Sequence, residues 1–402
     1  MANSFLASSE LDALWLHHHA QWRDTAQVVS QWQEASKVDA RLLDYVAQGA
    51  WWEILEKARI TLLVTREYEH LVMAMRGTPQ GPAVSYLPLP HPSGMVIDQE
   101  RNIVHIASTR NPNQVYDLMP VTARLPRKDL KKDSLKDYPL VPVRSRFLPG
   151  SLYIHDLALV GNALYANAVG HNAIVQLYDD GHYERVWWPK CIESSSGPVF
   201  GQNHLQLNSI AAGGDLKTSY FSASTDKLSA RRPGHKNFPV NKTGVVFSGA
   251  TREPMARGLT RPHSARLNQG RVWVDNSGYG ELGFIDCGKF VPVARLPGWT
   301  RGLCFHQGVA FVGTSRVLPR FRQYAPGLDV DASQCGVHAV DLDSGEVLGS
   351  LVWPSGNQIF AIDWVSRQFA SGFPFSASRR ASAREKELFY AFNIADLGDK
   401  ND

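Results

Sequence analysis

Cysteine is scarce in this chain of 402 residues: there are four, at Cys191, Cys287, Cys304 and Cys335. None sits in a C-x-x-C pair, which argues against a cysteine-based zinc site and against an oxidising compartment. Reduced, buried thiols are expected. Long apolar runs are missing too, and none reaches the ~18 residues of a membrane span. The opening MANSFLASSELDALWL lacks a basic stretch followed by an apolar core, so no secretory signal is read there. A cytoplasmic protein is expected. Concentrated positive charge is lacking: the formal net charge is +4, and only Arg124 to Lys136 forms a basic stretch. One such loop reads as solvated surface, and neither nucleic acid nor membrane is expected as a partner.

What is present is globular material, 44% hydrophobic and 20% charged, enough to bury a large core. Two grammars divide it. Residues 1–58 read as a helical extension. Ser8-Ser9-Glu10 offers N-cap chemistry, and LDALWLHHHAQW and the segment from Val28 to Ala58 space apolar residues by three and four. Trp15, Trp22, Trp32, Trp51 and Trp52 cluster here, as indoles that fix helices onto a larger body. A lid, a brace for the last repeat and a homo-oligomer contact all suit such helices. His17-His18-His19 cannot share one ion, because consecutive helical residues point about 100° apart.

Residues 59–365 read as short β-branched or aromatic strands separated by turns such as DQERN, DDG, NQG and DSG. A phrase recurs: a leading loop, an apolar strand, a turn, and a second strand ending in a small polar cluster. The copies are HPSGMVIDQERNIVHIAST, IHDLALVGNALYANAV, HLQLNSIAAGGDLKTSYFSAST, RPHSARLNQGRVWVDNS, GWTRGLCFHQGVAFVGTS and a truncated NQIFAIDWV. They start roughly 40 to 60 residues apart, the period of a propeller blade. Six phrases imply an all-β, six-bladed β-propeller. The strands at 59–76 have no phrase of their own, so they are expected to complete the sixth blade. Residues 366–402 read as a tail or cap, with a helix over RRASAREKELF.

Aligning the phrases brings Gly94, His155, Asn208, His263, Arg301 and Phe360, with Gln358 nearby, to one position at the channel mouth. His91 and His204 fall in the leading loops. Converging imidazoles suit a divalent transition metal, so His91, His155, His204 and His263 are candidate ligands, with iron the favoured ion. Asp156 or Asn208 would serve as a further ligand or orient a histidine, and Arg301 would hold an anionic small-molecule substrate. Such a metal-dependent enzyme is compatible with oxygenase, hydrolase or lyase chemistry. Two alternatives stand beside it. One is a metal-free transferase or lyase with an axial histidine and Arg301 as oxyanion partner. The other is a non-catalytic propeller that binds a ligand or protein at its mouth. The histidine register favours an enzyme.

IHDLAL, HLQLNSIA, RPHSARLNQGRVWVDNSGYGEL, LPGWTRGLCFHQGVAFVG and CGVHAVDLDSGEV resemble a bacterial family of propellers of unknown function. That resemblance implies the fold and no activity. HSARLNQGRVWVDN and IHDLALVGNALYAN are also similar to phrases of the arylsulfate sulfotransferases, six-bladed propellers with an axial histidine. This second resemblance places His263 and His155 at the histidine position and implies sulfuryl transfer through a transient covalent histidine.

Overall fold

β-Branched and aromatic runs of five to eight residues, each closed by glycine, asparagine or aspartate, fold into consecutive antiparallel hairpins. The computed structural model describes residues 9, 10, 13, 38–109, 113–123, 138–229, 231, 233, 235, 238–377 and 393–394. The expectations for Trp15, Trp22, Trp32, the His17–His19 triplet, the basic stretch 124–136 and the RRASAREKELF helix lie outside those residues.

Six four- or five-stranded sheets are arranged as the blades of a propeller. Blade one starts with its inner strand Pro92–Asp98 and ends with Leu140–Leu148. Blade two runs from Ile154–Val160 to Tyr183–Trp187, blade three from Leu207–Ala211 to Pro254–Leu259 and blade four from Pro262–Asn268 to Lys289–Arg295. Blade five runs from Trp299–His306 to Val347–Val352. Blade six joins the two ends of the ring. Its inner strand Ile362–Ser366 pairs antiparallel with Ile60–Arg66, Leu62 facing Trp364, and Leu71–Thr78 and Gly81–Pro88 follow outward.

The core is a ring of contacts between blades. Leu157 and Ala166 of blade two meet Ala107 and Val115 of blade one. Equivalent apolar clusters join blades two and three, three and four, four and five, five and six, and six and one. Each blade thus buries both faces, which explains why its inner strands read as nearly continuous apolar runs.

Polar bonds complete the ring. One residue per blade presents a hydroxyl or amide to a main-chain carbonyl at the start of the next inner strand. Ser93 donates to Ile154, Asn167 to Leu207, Asn208 to Pro262, Ser277 to Thr300, Ser315 to Ile359 and Thr65 to Ser93. The polar cluster ending the second strand therefore joins neighbouring blades, Asn167, Ser277 and Ser315 being its members.

Of the described residues up to 58, Ser9, Glu10 and Ala13 are helical, Val46–Gly49 is a strand added to the outer edge of blade five, and Trp51–Ala58 is an α-helix. The helix buries Trp51 and Leu55 against Phe311 and Leu351 of blade five and Met73 and Met75 of blade six. It brackets the junction where the ring closes. Gly77 lies under it, where a Cβ would collide with the carbonyl of Trp52. No helix among the described residues is long and apolar enough to cross a membrane.

Candidate functional site

Five of the six inner strands begin with an irregularity. The pairing slips between Pro92 and Met95, His263 and Arg266, and Thr300 and Leu303, with matching slips in blades two and three. The carbonyls that accept the cross-blade bonds, on Ser93, Ile154, Leu207, Pro262, Thr300 and Ile359, each stand one residue before Gly94, His155, Asn208, His263, Arg301 and Phe360. The residues aligned by sequence therefore share one position relative to these bonds. Gly94 also lets blades one and two approach, since a Cβ there would meet the main chain of Asp156.

A second tier lies two residues earlier, three in blade one: His91, Tyr153, Gln206, Arg261, Trp299 and Gln358. The first four have φ of 44°, 54°, 48° and 54°, a left-handed conformation uncommon outside glycine. Keeping bulky polar residues there costs about 1–2 kcal/mol each, and such strain concentrates at functional sites.

The tiers interlock around two arginines. Arg261 Nη1 donates to Gln206 Oε1 at 2.6 Å, and its guanidinium stands 4.6 Å from the Tyr324 ring. Arg301 lies 3.3 Å from the Phe360 ring centre. The Gln358 amide, oriented to satisfy both neighbours, accepts from Arg301 Nη1 at 3.3 Å and donates to Glu67 Oε2 at 3.1 Å. Arg301 Nη2 and Arg261 Nε have no hydrogen-bond partner among the described residues. Burial pulls both guanidinium pKa values down to about 10, Glu67 and Tyr153 opposing the shift at Arg301, and Tyr324 and Tyr153 at Arg261. Arg301 is enclosed by protein yet partly exposed, as expected of a residue lining an internal channel.

His263 is buried beside them. Its Nδ1 lies 2.8 Å from the Arg261 carbonyl oxygen and 3.0 Å from Ser277 Oγ. A carbonyl only accepts, so Nδ1 carries the proton and Nε2 the lone pair. Burial, then the charges of Arg301 and Arg261 and the neighbouring His155, hold its pKa well below the ordinary histidine value. At neutral pH it is an uncharged base. His155 packs between the rings of Tyr153 at 4.6 Å and Phe360 at 5.3 Å.

The other expected residues are placed differently. His91 packs on His70, ring centres 4.3 Å apart, and its main-chain N–H donates to His70 Nδ1. His204 lines a separate cavity of about 990 Å³, its main-chain N–H held by Asn172 Oδ1 at 2.9 Å. Asn208 Nδ2 bridges to the Pro262 carbonyl at 2.8 Å. Asp156 orients no histidine. It takes both ends of the Arg266 guanidinium, at 2.6 and 2.9 Å, and the main-chain N–H groups of Ile210 and Leu157. Asp275 pairs with His263 across the first two strands of blade four. Among the described residues no three His, Cys, Asp or Glu side chains gather as metal ligands.

The opposite channel mouth is a cavity of about 360 Å³ lined by the inner strands of all six blades. Asp363 and Cys304 line it beside Arg266. Burial pushes the Asp363 pKa up to about 6, and Asp156 adds to the rise while the Trp364 N–H and Arg266 oppose it. A carboxyl raised this way stabilises the fold fully below its unfolded pKa near 4, and that contribution is lost as pH climbs through 6. Two units correspond to about 3 kcal/mol, which channel water reduces to about 1–2 kcal/mol. Asp363→Asn keeps an acceptor for the Trp364 N–H. Urea unfolding should find it more stable than wild type at pH 7.5 and equal to it at pH 4.

The chain is similar to the solved structure of a nidogen/laminin complex, with 10% identity, 76% of this chain and 98% of that chain covered, and a TM-score of 0.50. It is also similar to a protein of unknown function from Bacteroides caccae, at 10% identity over 76% and 99% of the two chains and a TM-score of 0.46. Identity this low shows the fold alone. No curated protein matches. None of these relatives bears the name of a sulfotransferase. Residues 49–371 match the family described as a domain of unknown function, DUF4915. With most of its length matched, from the outer edge of blade five through the closing blade, the chain belongs to the DUF4915 family.

Proposed function

We propose that the axial funnel binds a small organic anion through Arg301 and Arg261 and acts on it by metal-free acid–base chemistry, with His263 as the base. The supporting observation is the pair of enclosed guanidiniums, each with an N–H lacking a hydrogen-bond partner among the described residues, beside an imidazole held neutral. An anion would occupy those donors. It would also cancel the positive charge that depresses His263, so ligand binding raises the basicity of Nε2 where a proton must be taken. Arg301 would then hold the negative charge that develops as the proton leaves. A transferase or a lyase fits this arrangement.

A metal-dependent reading has less support. A transition metal needs several converging donors. His91 and His204 are engaged elsewhere, and two cationic side chains flank His263.

Malonate is a suitable probe. Calorimetry should detect its binding to wild type, and Arg301→Gln should weaken it about 10- to 100-fold, the worth of a charged hydrogen bond. Because binding raises the His263 pKa, affinity should be higher at acid than at alkaline pH. No binding, or affinity indifferent to Arg301→Gln, would sink the proposal. Near-stoichiometric metal in untagged protein, lost in His155→Ala/His263→Ala, would restore the metal-dependent enzyme. Binding with no turnover of any anion would leave a ligand-binding propeller.

A further inference from the structure

The cavity of about 990 Å³ opens between blades two and three, beside the funnel. Arg185, Arg231, His171, His204 and His235 line it, and among the described residues no carboxylate does. Arg185 is braced on two sides. Its Nε donates to His171 Nδ1 at 3.4 Å, and its guanidinium lies 4.5 Å from the Phe200 ring centre. Its two Nη groups make no hydrogen bond to a described residue. Burial, then the Arg185 charge, lowers the His171 pKa, so His171 serves as a neutral prop and the guanidinium carries the charge.

Tyr153 belongs to both sites. It lines this cavity, and its ring packs 4.6 Å from His155 in the funnel. An extended ligand could therefore pass from one to the other along a single side chain. The volume stands at the upper end of small-ligand sites, about 300–1,000 Å³, and exceeds what one oxyanion fills.

We propose that this cavity holds the phosphate of an organic phosphate whose far end reaches the axial funnel; the placement of that far end rests on the reading of the funnel given above. A phosphate group carries up to two charges and three strong acceptor oxygens, and arginine offers them a planar fork of donors. Two arginines with imidazole donors match that charge. A single carboxylate would leave most of it uncompensated.

Inorganic pyrophosphate tests the cavity alone, by calorimetry on the full chain. Wild type should bind it. Arg185→Gln or Arg231→Gln should weaken binding at least about tenfold, whereas Arg301→Gln should change it less than about twofold. Both altered cavity arginines are exposed, and circular dichroism checks that the variants fold. Absent binding, equal binding by Arg185→Gln, loss confined to Arg301→Gln, or sulfate binding tighter than pyrophosphate would overturn the proposal. Should Arg301→Gln leave malonate unaffected while Arg185→Gln abolishes pyrophosphate binding, the funnel reading fails and the phosphate site stands.

Discussion

Asp156→Ala is expected to cost about 3–5 kcal/mol of folding stability, the penalty for stripping one partner from a buried ion pair. Asp156 receives four hydrogen bonds: two from Arg266, at 2.6 and 2.9 Å, and those from Ile210 N at 2.9 Å and Leu157 N at 3.1 Å. They link blades two, three and four in the channel wall. Alanine leaves a guanidinium beside the channel with, among the described residues, the Ile210 and Ala265 carbonyls as its remaining acceptors. The nearby Asp363 supplies a sharper test than the size of the loss. Asp156 helps to raise the Asp363 pKa and Arg266 lowers it. Once Asp156 is gone, Asp363 should ionise more readily and become the counter-ion of Arg266. Asp363→Asn, stabilising at pH 7.5 in wild type, should then be destabilising in the Asp156→Ala background. Urea midpoints of the four proteins form a double-mutant cycle. Additive effects would mean that the two carboxyls do not share Arg266.

The propeller is legible because its signal is repetition. Six copies of one phrase survive large differences in individual residues, and the truncated sixth copy with unphrased strands at 59–76 points to the closure seen in Ile362–Ser366 pairing with Ile60–Arg66. Local pattern misleads at residues 46–49. VAQG follows on from a helical pattern, and only the free edge of Val347–Val352 makes it a strand. Tertiary context of this kind overrides local propensity.

The site is legible in part. His155, His263 and Arg301 fall at the mouth because position within the phrase dictates depth in the channel. His91 and Asp156 share the phrase yet do other work, since a neighbour distant in sequence claims each: His70 for one and Arg266 for the other. Arg261, Tyr153 and Gln206 escape a reading confined to one column, although each sits two residues before an axial position. Reading that second column down the six phrases gives His, Tyr, Gln, Arg, Trp and Gln, with no small or aliphatic residue. A large polar or aromatic residue in the left-handed conformation cannot be recognised from sequence alone. A repeated column of them can.

Arg66→Met is expected to lower stability by a similar 3–5 kcal/mol, through the closure of the ring. Both Arg66 and Glu69 have no exposed side-chain surface, and their charged groups lie 3.3 Å apart. Arg66 also donates to the Leu42 carbonyl at 2.6 Å and packs 4.8 Å from the Trp353 ring centre. Glu69 accepts from the main-chain N–H groups of Asn357 at 2.6 Å and Gln358 at 3.2 Å. The pair thus clamps the chain just after the first strand of the ring to the chain just before its last. Methionine fills the volume but leaves Glu69 as a buried carboxylate without its cation. Adding Glu69→Gln removes the charge and keeps an acceptor for Asn357 N, and the double variant should regain more than half of the lost stability. A deficit unrelieved by Glu69→Gln would place the cost in lost packing against Trp353 instead. The effect should reach the funnel too. Glu69 fixes the main chain of Gln358, whose amide bridges Arg301 and Glu67, so Arg66→Met should weaken malonate binding although Arg66 touches no residue of the funnel's two tiers.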